Sequence, residues 1–154
     1  MIDPPRIAQV TAQRTAVIRM TIPRDQIQQV MGPAFGELMA ALAAQGIAST
    51  GAWFSHHFRV DPKTFDFEVG APVASPVTPV GRVTPGELPA AQVAQTVYHG
   101  GYEGLGGGWG ELEEWIAAEG FSPAPNFWER YTVGPESGPD SAAWRTELVR
   151  PLVG

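Results

Sequence analysis

The chain has 154 residues, no cysteine and a formal net charge of −6, with 44% hydrophobic and 17% charged residues. That length and composition suit one globular domain with a real core, and the missing cysteine excludes disulfides, a thiolate nucleophile and Cys-based zinc sites. Ten scattered Lys and Arg against sixteen Asp and Glu leave no clustered basic footprint for nucleic acid. No apolar run reaches the length of a bilayer span, and Met1-Ile2-Asp3-Pro4-Pro5 lacks the basic start of a signal peptide, so the expectation is a cytoplasmic protein without a membrane partner.

In chain order, the β-branched run from Ile7 to Ile22 predicts one strand, ended by Pro23. A helix is expected next, from about Asp25 or from Pro33, with Met31, Phe35, Leu38 and Leu42 as its apolar stripe and Gly46 as its C-cap. Trp53 to Val60 predicts a strand that turns at Asp61-Pro62-Lys63 into a partner from Phe65 to Val73. The proline-rich stretch from Pro72 to Pro89 predicts an extended internal linker with edge pairing, because proline cannot donate to a sheet ladder. A strand over Ala90 to Tyr98 and a helix from about Leu105 to Glu119 follow, the helix striped by Leu105, Trp109, Leu112 and Ile116 and capped by Gly120. Phe127 to Tyr131 and Trp144 to Leu152 predict the last two strands, separated by a turn rich in glycine and proline.

The two halves repeat one another. Phe35-Gly36-Glu37-Leu38 matches Trp109-Gly110-Glu111-Leu112, and Gly46 matches Gly120, with numbers differing by 74 throughout. The same offset places Trp53 on Phe127, Ser55 on Glu129 and His57 on Tyr131; after the hairpin it grows to 79, pairing Glu68 with Glu147. The expected fold is therefore α+β: tandem pseudo-two-fold β-α-β-β repeats, over about residues 7–75 and 88–152 of a single domain, forming a mainly antiparallel sheet with two helices and a central groove.

Alternation along Phe127-Trp128-Glu129-Arg130-Tyr131 puts Phe127, Glu129 and Tyr131 on one face, an acid between two rings. Rings present negative faces and the carboxylate adds a countercharge, a combination suited to a flat, delocalised cation. The structural alternative is a solvated or paired strand Glu. Its first-half counterpart Ser55 is neutral, so the symmetry breaks at Glu129.

Together the duplicated plan and three stretches, Thr96 to Leu105, Trp128 to Tyr131 and Trp144 to Pro151, resemble the GyrI-like small-molecule-binding family, also found as the effector-binding domain of AraC-type and MerR-type regulators. The resemblance implies that Glu129 anchors a lipophilic cation. It places Trp53, Phe127 and Tyr131 as aromatic walls, with Phe35, Trp109, His57 and Tyr102 as further ligand-binding candidates. The chain departs from the commoner family pattern at His57, where an aromatic such as Tyr often stands, and at Tyr98, where His is frequent.

Other chemistries are weaker. His56 and His57 point to opposite faces of a strand and cannot readily share a metal ion, so no metal site is expected; one is expected to face the groove and the other solvent. Gly106-Gly107-Gly108 lacks the lysine of a phosphate loop and is read as loosening the helix start or letting it approach the sheet. The leading expectation is a stand-alone protein, without cofactor, that binds a small hydrophobic or cationic aromatic molecule for sensing or sequestration. No helix-turn-helix precedes the first strand, so no direct contact with DNA is expected. The first alternative, implied by the resemblance, is a cofactor-free hydrolase of cyclopropanoid toxins in which Glu129 acts with Tyr131 or Tyr98 as acid and base. The second is a gyrase-inhibitor-like module with a transient protein partner.

Overall fold

The computed structural model describes residues 2–59 and 61–153. Nine strands and two α-helices occur among them: β1 (Arg6–Val10), β2 (Gln13–Pro23), α1 (Ile27–Ala44), β3 (Phe54–His57), β4 (Thr64–Pro72), β5 (Val83–Leu88), β6 (Ala91–His99), α2 (Leu105–Ala118), β7 (Ser122–Pro123), β8 (Phe127–Val133) and β9 (Arg145–Val153). The fold is α+β, and every strand pairing given below is antiparallel. The chain divides into two compact units, residues 11–90 and residues 1–10 with 91–154.

In the unit of residues 11–90, β2 lies between β5 and β4, and β3 pairs the far side of β4. Helix α1 covers one face of this sheet, burying Ala34, Leu38 and Leu42 against Ile18, Phe67 and Val69. In the other unit β6 lies between β1 and β9, β8 pairs the far side of β9, and short β7 meets the end of β9. Helix α2 buries Gly108, Leu112 and Ile116, each 74 residues on from its counterpart in α1, and packs against Ala94, Tyr98 and Leu148. Each unit thus contains the β-α-β-β plan read from the repeat. Each unit also has a strand outside that plan on its outer edge: β1 precedes β2 in the chain but pairs β6, and β5 precedes β6 but pairs β2.

Some boundaries differ from expectation. The run from Ile7 to Ile22 is two strands, not one, broken at Thr11-Ala12, and the pieces serve different units. Uniform β-propensity on both sides of the break hides it. Helix α1 begins at Ile27 and runs through Pro33, which stands in its second turn. The expected strand end at Val60 lies outside the described residues. The linker from Pro72 to Pro89 contains β5, an edge strand on β2 in which Pro85 occupies the kind of position where proline is tolerated. The buried line of α1 passes through Ala34 rather than Met31 and Phe35, which are half-buried. Both His56 and His57 are buried at 4% exposure, contrary to the expectation that one faces solvent.

Candidate functional site

Strand β8 carries the aromatic and β-branched residues that suit a pleated, half-buried surface, and its register on β9 sets what its side chains meet. Glu129 is opposite Leu148, which is opposite Thr96; Tyr131 is opposite Thr146, which is opposite Tyr98. These two cross-strand rows therefore share the face on which α2 packs. Above that face Gly108 lets the helix come close, since a Cβ there would lie 2.8 Å from Cδ1 of Tyr98. Of the three consecutive glycines, Gly108 serves close approach, while Gly106 and Gly107 have open space around them.

Close packing brings the indole of Trp109 down to the acid. Trp109 Nε1 donates to Oε2 of Glu129 at 2.6 Å, and the Tyr131 hydroxyl donates to Oε1 at 2.8 Å. Glu129 is 9% exposed, and among the described residues no Lys, Arg or His forms an ion pair with it. Burial raises its pKa above the ordinary carboxylate range, while the bonds from Trp109 and Tyr131 pull the other way. The result is a buried acid held by two neutral donors, its charged form disfavoured by burial and only partly restored by those bonds.

Rings extend outward from this acid. Trp109 meets Phe127 edge to face at 4.7 Å between centroids, and Tyr131 meets Tyr102 in the same manner at 5.9 Å. Tyr102 in turn lies 5.2 Å from Trp144, a neighbour that sequence reasoning did not single out. At the Phe127 end the guanidinium of Arg150, 5.6 Å from the ring, is occupied by Oε1 of Glu113 at 3.0 Å and the carbonyl of Ala124 at 2.9 Å. No local pattern in the sequence predicts that a strand arginine, 7% exposed, is buried there. Tyr98 stands apart from the acid: its hydroxyl donates to the Gly101 carbonyl at 2.8 Å.

The structure thus brings Glu129, Tyr131, Trp109, Phe127 and Tyr102 into one cluster in one unit. Trp53, Phe35 and His57 belong to the other unit, where they form a second group. The rings of Phe35 and Trp53 lie tilted at 4.4 Å between centroids, and Oγ of Ser55 lies 3.0 Å from Nε2 of His57. His57 is stacked on Phe67 at 5.1 Å and meets Phe65 edge-on at 5.3 Å. The guanidinium of Arg24 lies 4.5 Å from the Phe65 ring. Burial, His56 and Arg24, in that order, pull the His57 pKa down to about 3; burial and then Arg19 bring His56 to about 4. Both imidazoles are neutral at pH 7. Among the described residues no group of three His, Asp or Glu is placed to hold a metal ion, and no helix is long and apolar enough to cross a membrane.

A family profile described as the GyrI-like small molecule binding domain matches residues 3–153. No curated protein matches the chain by sequence. Among solved structures, the C-terminal domain of EcmrR is similar at TM-score 0.85 and 20% identity, over 97% of each chain. In the cryo-EM structure of EcmrR with DNA the TM-score is 0.84, and this chain spans 57% of that protein's length. SAV2435, solved bound to tetraphenylphosphonium, is similar at TM-score 0.66 and 12% identity over 99% of this chain and 95% of its own. A hydrolase encoded by lin2189 from Listeria innocua is similar at TM-score 0.65 and 12% identity, over 97% and 91%.

Proposed function

The chain belongs to the GyrI-like small molecule binding domain family, and on that premise we propose that it binds lipophilic, aromatic cations with Glu129 as countercharge, for sensing or sequestration. The observation that carries this reading is the state of that acid. Among the described residues Glu129 is buried, raised in pKa and bonded only to an indole and a phenol, so in its ionised form it offers an arriving cation an anion that no Lys, Arg or His there pairs. Both carboxylate oxygens already accept a bond. The ligand is therefore recognised through charge and ring faces more than through its own hydrogen-bond donors, which favours delocalised or fully substituted cations. Phe127, Tyr131, Tyr102 and Trp109 supply those faces. SAV2435, a protein of similar fold, was solved with such a cation.

The test is a fluorescence titration with a rhodamine cation and with tetraphenylphosphonium, on wild type and on Glu129→Gln. Saturable binding that weakens at least about tenfold in the variant, about 1.4 kcal/mol, supports the cation site. No binding by wild type sinks it, and equal binding by both proteins removes Glu129 as the anchor.

One observation favours a second reading, hydrolysis of a strained cyclopropane. Glu129 has a raised pKa and a phenol at 2.8 Å, the makings of an acid–base pair. In that reading the carboxylate takes a proton from water as the oxygen bonds to a ring carbon, and the ring C–C bond breaks towards the substrate's own electron-withdrawing group, which takes up a proton. Tyr131, whose hydroxyl is bonded to Glu129 itself, serves better than Tyr98, whose hydroxyl is turned to the Gly101 carbonyl. A water-added, ring-opened product that forms with wild type and not with Glu129→Gln would establish it.

A further inference from the structure

The two units differ at the outer edge of their first repeat strand. Where Ala91 pairs Val10 in one unit, Gln13 pairs Leu88 in the other, so residue numbers correspond at an offset of 78. Beyond β1 the chain keeps covering the edge of β6: Ile2 bridges Tyr98, Asp3 N donates to the Val97 carbonyl at 2.9 Å, and Ile2 packs into the core under α2. The residue corresponding to Ile2 is Val80, and it does the opposite. Gly81, at φ +57, turns the chain back so that Val80 and Val83 bond each other at 2.9 and 3.1 Å, and Val80 is left 51% exposed.

That turn ends the cover on β2 at Ile18, opposite Val83. Among the described residues no strand pairs the outer edge of β2 from Arg19 to Pro23. Beside it, between β2 and α1, lies a cleft of about 370 Å³ lined by Met20, Ile22, Val30 and Pro33 together with Thr21 and the exposed Gln29 and Arg82. An open strand edge next to an apolar cleft has the two features that strand addition requires: backbone groups for the ladder and a pocket for a side chain.

We propose that this edge is a docking site for an extended segment of a partner protein, added antiparallel to β2 with an apolar side chain in the cleft. The occupant is specified by the molecule itself. At the matching place in the other unit an antiparallel extended segment with isoleucine at its anchor fills the seam, and here the corresponding segment has turned away. The Arg82–Glu37 pair, at 3.0 Å, gives the rim a polar border.

The chain has no cysteine, so Gln29→Cys, exposed at the cleft rim, gives a single attachment point. The probe is the peptide acetyl-Cys-Gly-Ile-Gly-amide, activated as a mixed disulfide, with coupling read by intact mass under reversible conditions. We expect half-coupling at a concentration at least tenfold lower than for the same peptide with Asp in place of Ile. The same margin is expected over a backbone N-methylated form and over attachment at the exposed neighbour Gln28→Cys. Equal coupling of the Ile and Asp peptides, or no preference for Gln29→Cys, overturns the site. An N-methylated peptide that couples as well as its parent overturns strand addition, since the cleft would then be taking an apolar side chain alone.

Discussion

In the unit that contains β8, Glu129 sits between the donors Trp109 and Tyr131; at the corresponding places in the other unit Ser55 sits beside His57, and Phe35 stands where the indole does. Tyr102, which meets Tyr131 through its ring edge, corresponds to Arg24 at the offset of 78, and Arg24 bears on His57. One frame therefore carries, among the described residues, an acid without an ion pair in one copy and a resident cation beside a neutral imidazole in the other. What distinguishes them is a handful of substitutions on a shared backbone plan. A carboxylate is tolerated where aromatic donors surround it and excluded where they do not.

Exchanging those roles should give the largest effect. Ser55→Glu places a carboxylate at 0% exposure, where Phe35 has no N–H to give, and we expect a loss of about 3–5 kcal/mol in urea denaturation. Unchanged stability would mean that the donors around Glu129 are not what makes the acid acceptable. Acid titration separates the units by sign. His57 has its pKa depressed from 6.5 to about 3, so its contribution is fully present above pH 6.5 and is lost as pH falls through the window towards 3, on the order of a few kcal/mol. Glu129 has its pKa raised, so its contribution is present below the ordinary carboxylate range and is lost as pH rises through the raised value. Accordingly His57→Leu should flatten the acid loss of stability. Glu129→Gln should raise Tm at pH 7 while weakening cation binding, and a fall in Tm would contradict the cost assigned to the ionised acid.

The repeat, both helices and most strands were legible because they rest on local pattern: matched Gly-Glu-Leu segments, apolar stripes and β-branched runs. Glu129, Phe127 and Tyr131 were legible as a set because strand parity alone puts them on one face. The bond from Trp109 was not, because it depends on how closely α2 approaches the sheet, which Gly108 and Tyr98 decide across ten residues of sequence. Neither was the burial of His56 and His57, since two adjacent polar residues in a strand ordinarily imply one wet face, and here neither is wet. The pairing of β1 with β6 rather than with its chain neighbour β2, and of β5 with β2 rather than with β6, leaves no trace in propensity either. A strand's partner is a long-range choice.

The smallest effects test that helix seat. Gly108 corresponds to Ala34, and Tyr98 to Met20, both in the core of the other unit. Gly108→Ala alone should cost about 1–3 kcal/mol, because its new Cβ meets the Tyr98 ring at 2.8 Å, and adding Tyr98→Met should recover much of the loss by reproducing the pair that already packs in the other copy. One residue earlier the expected sign reverses. Gly107 is exposed, has nothing within 4 Å of the point where an alanine methyl would stand and lies in the first turn of α2, so alanine there removes backbone entropy from the unfolded chain without a clash. Gly107→Ala should stabilise by up to about 1 kcal/mol and leave cation affinity unchanged, checked by urea midpoint and the same titration. A loss of affinity without a loss of stability would show that the glycine run also gives the first turn of α2 freedom to move when ligand arrives, a role that packing distances alone do not assign to it.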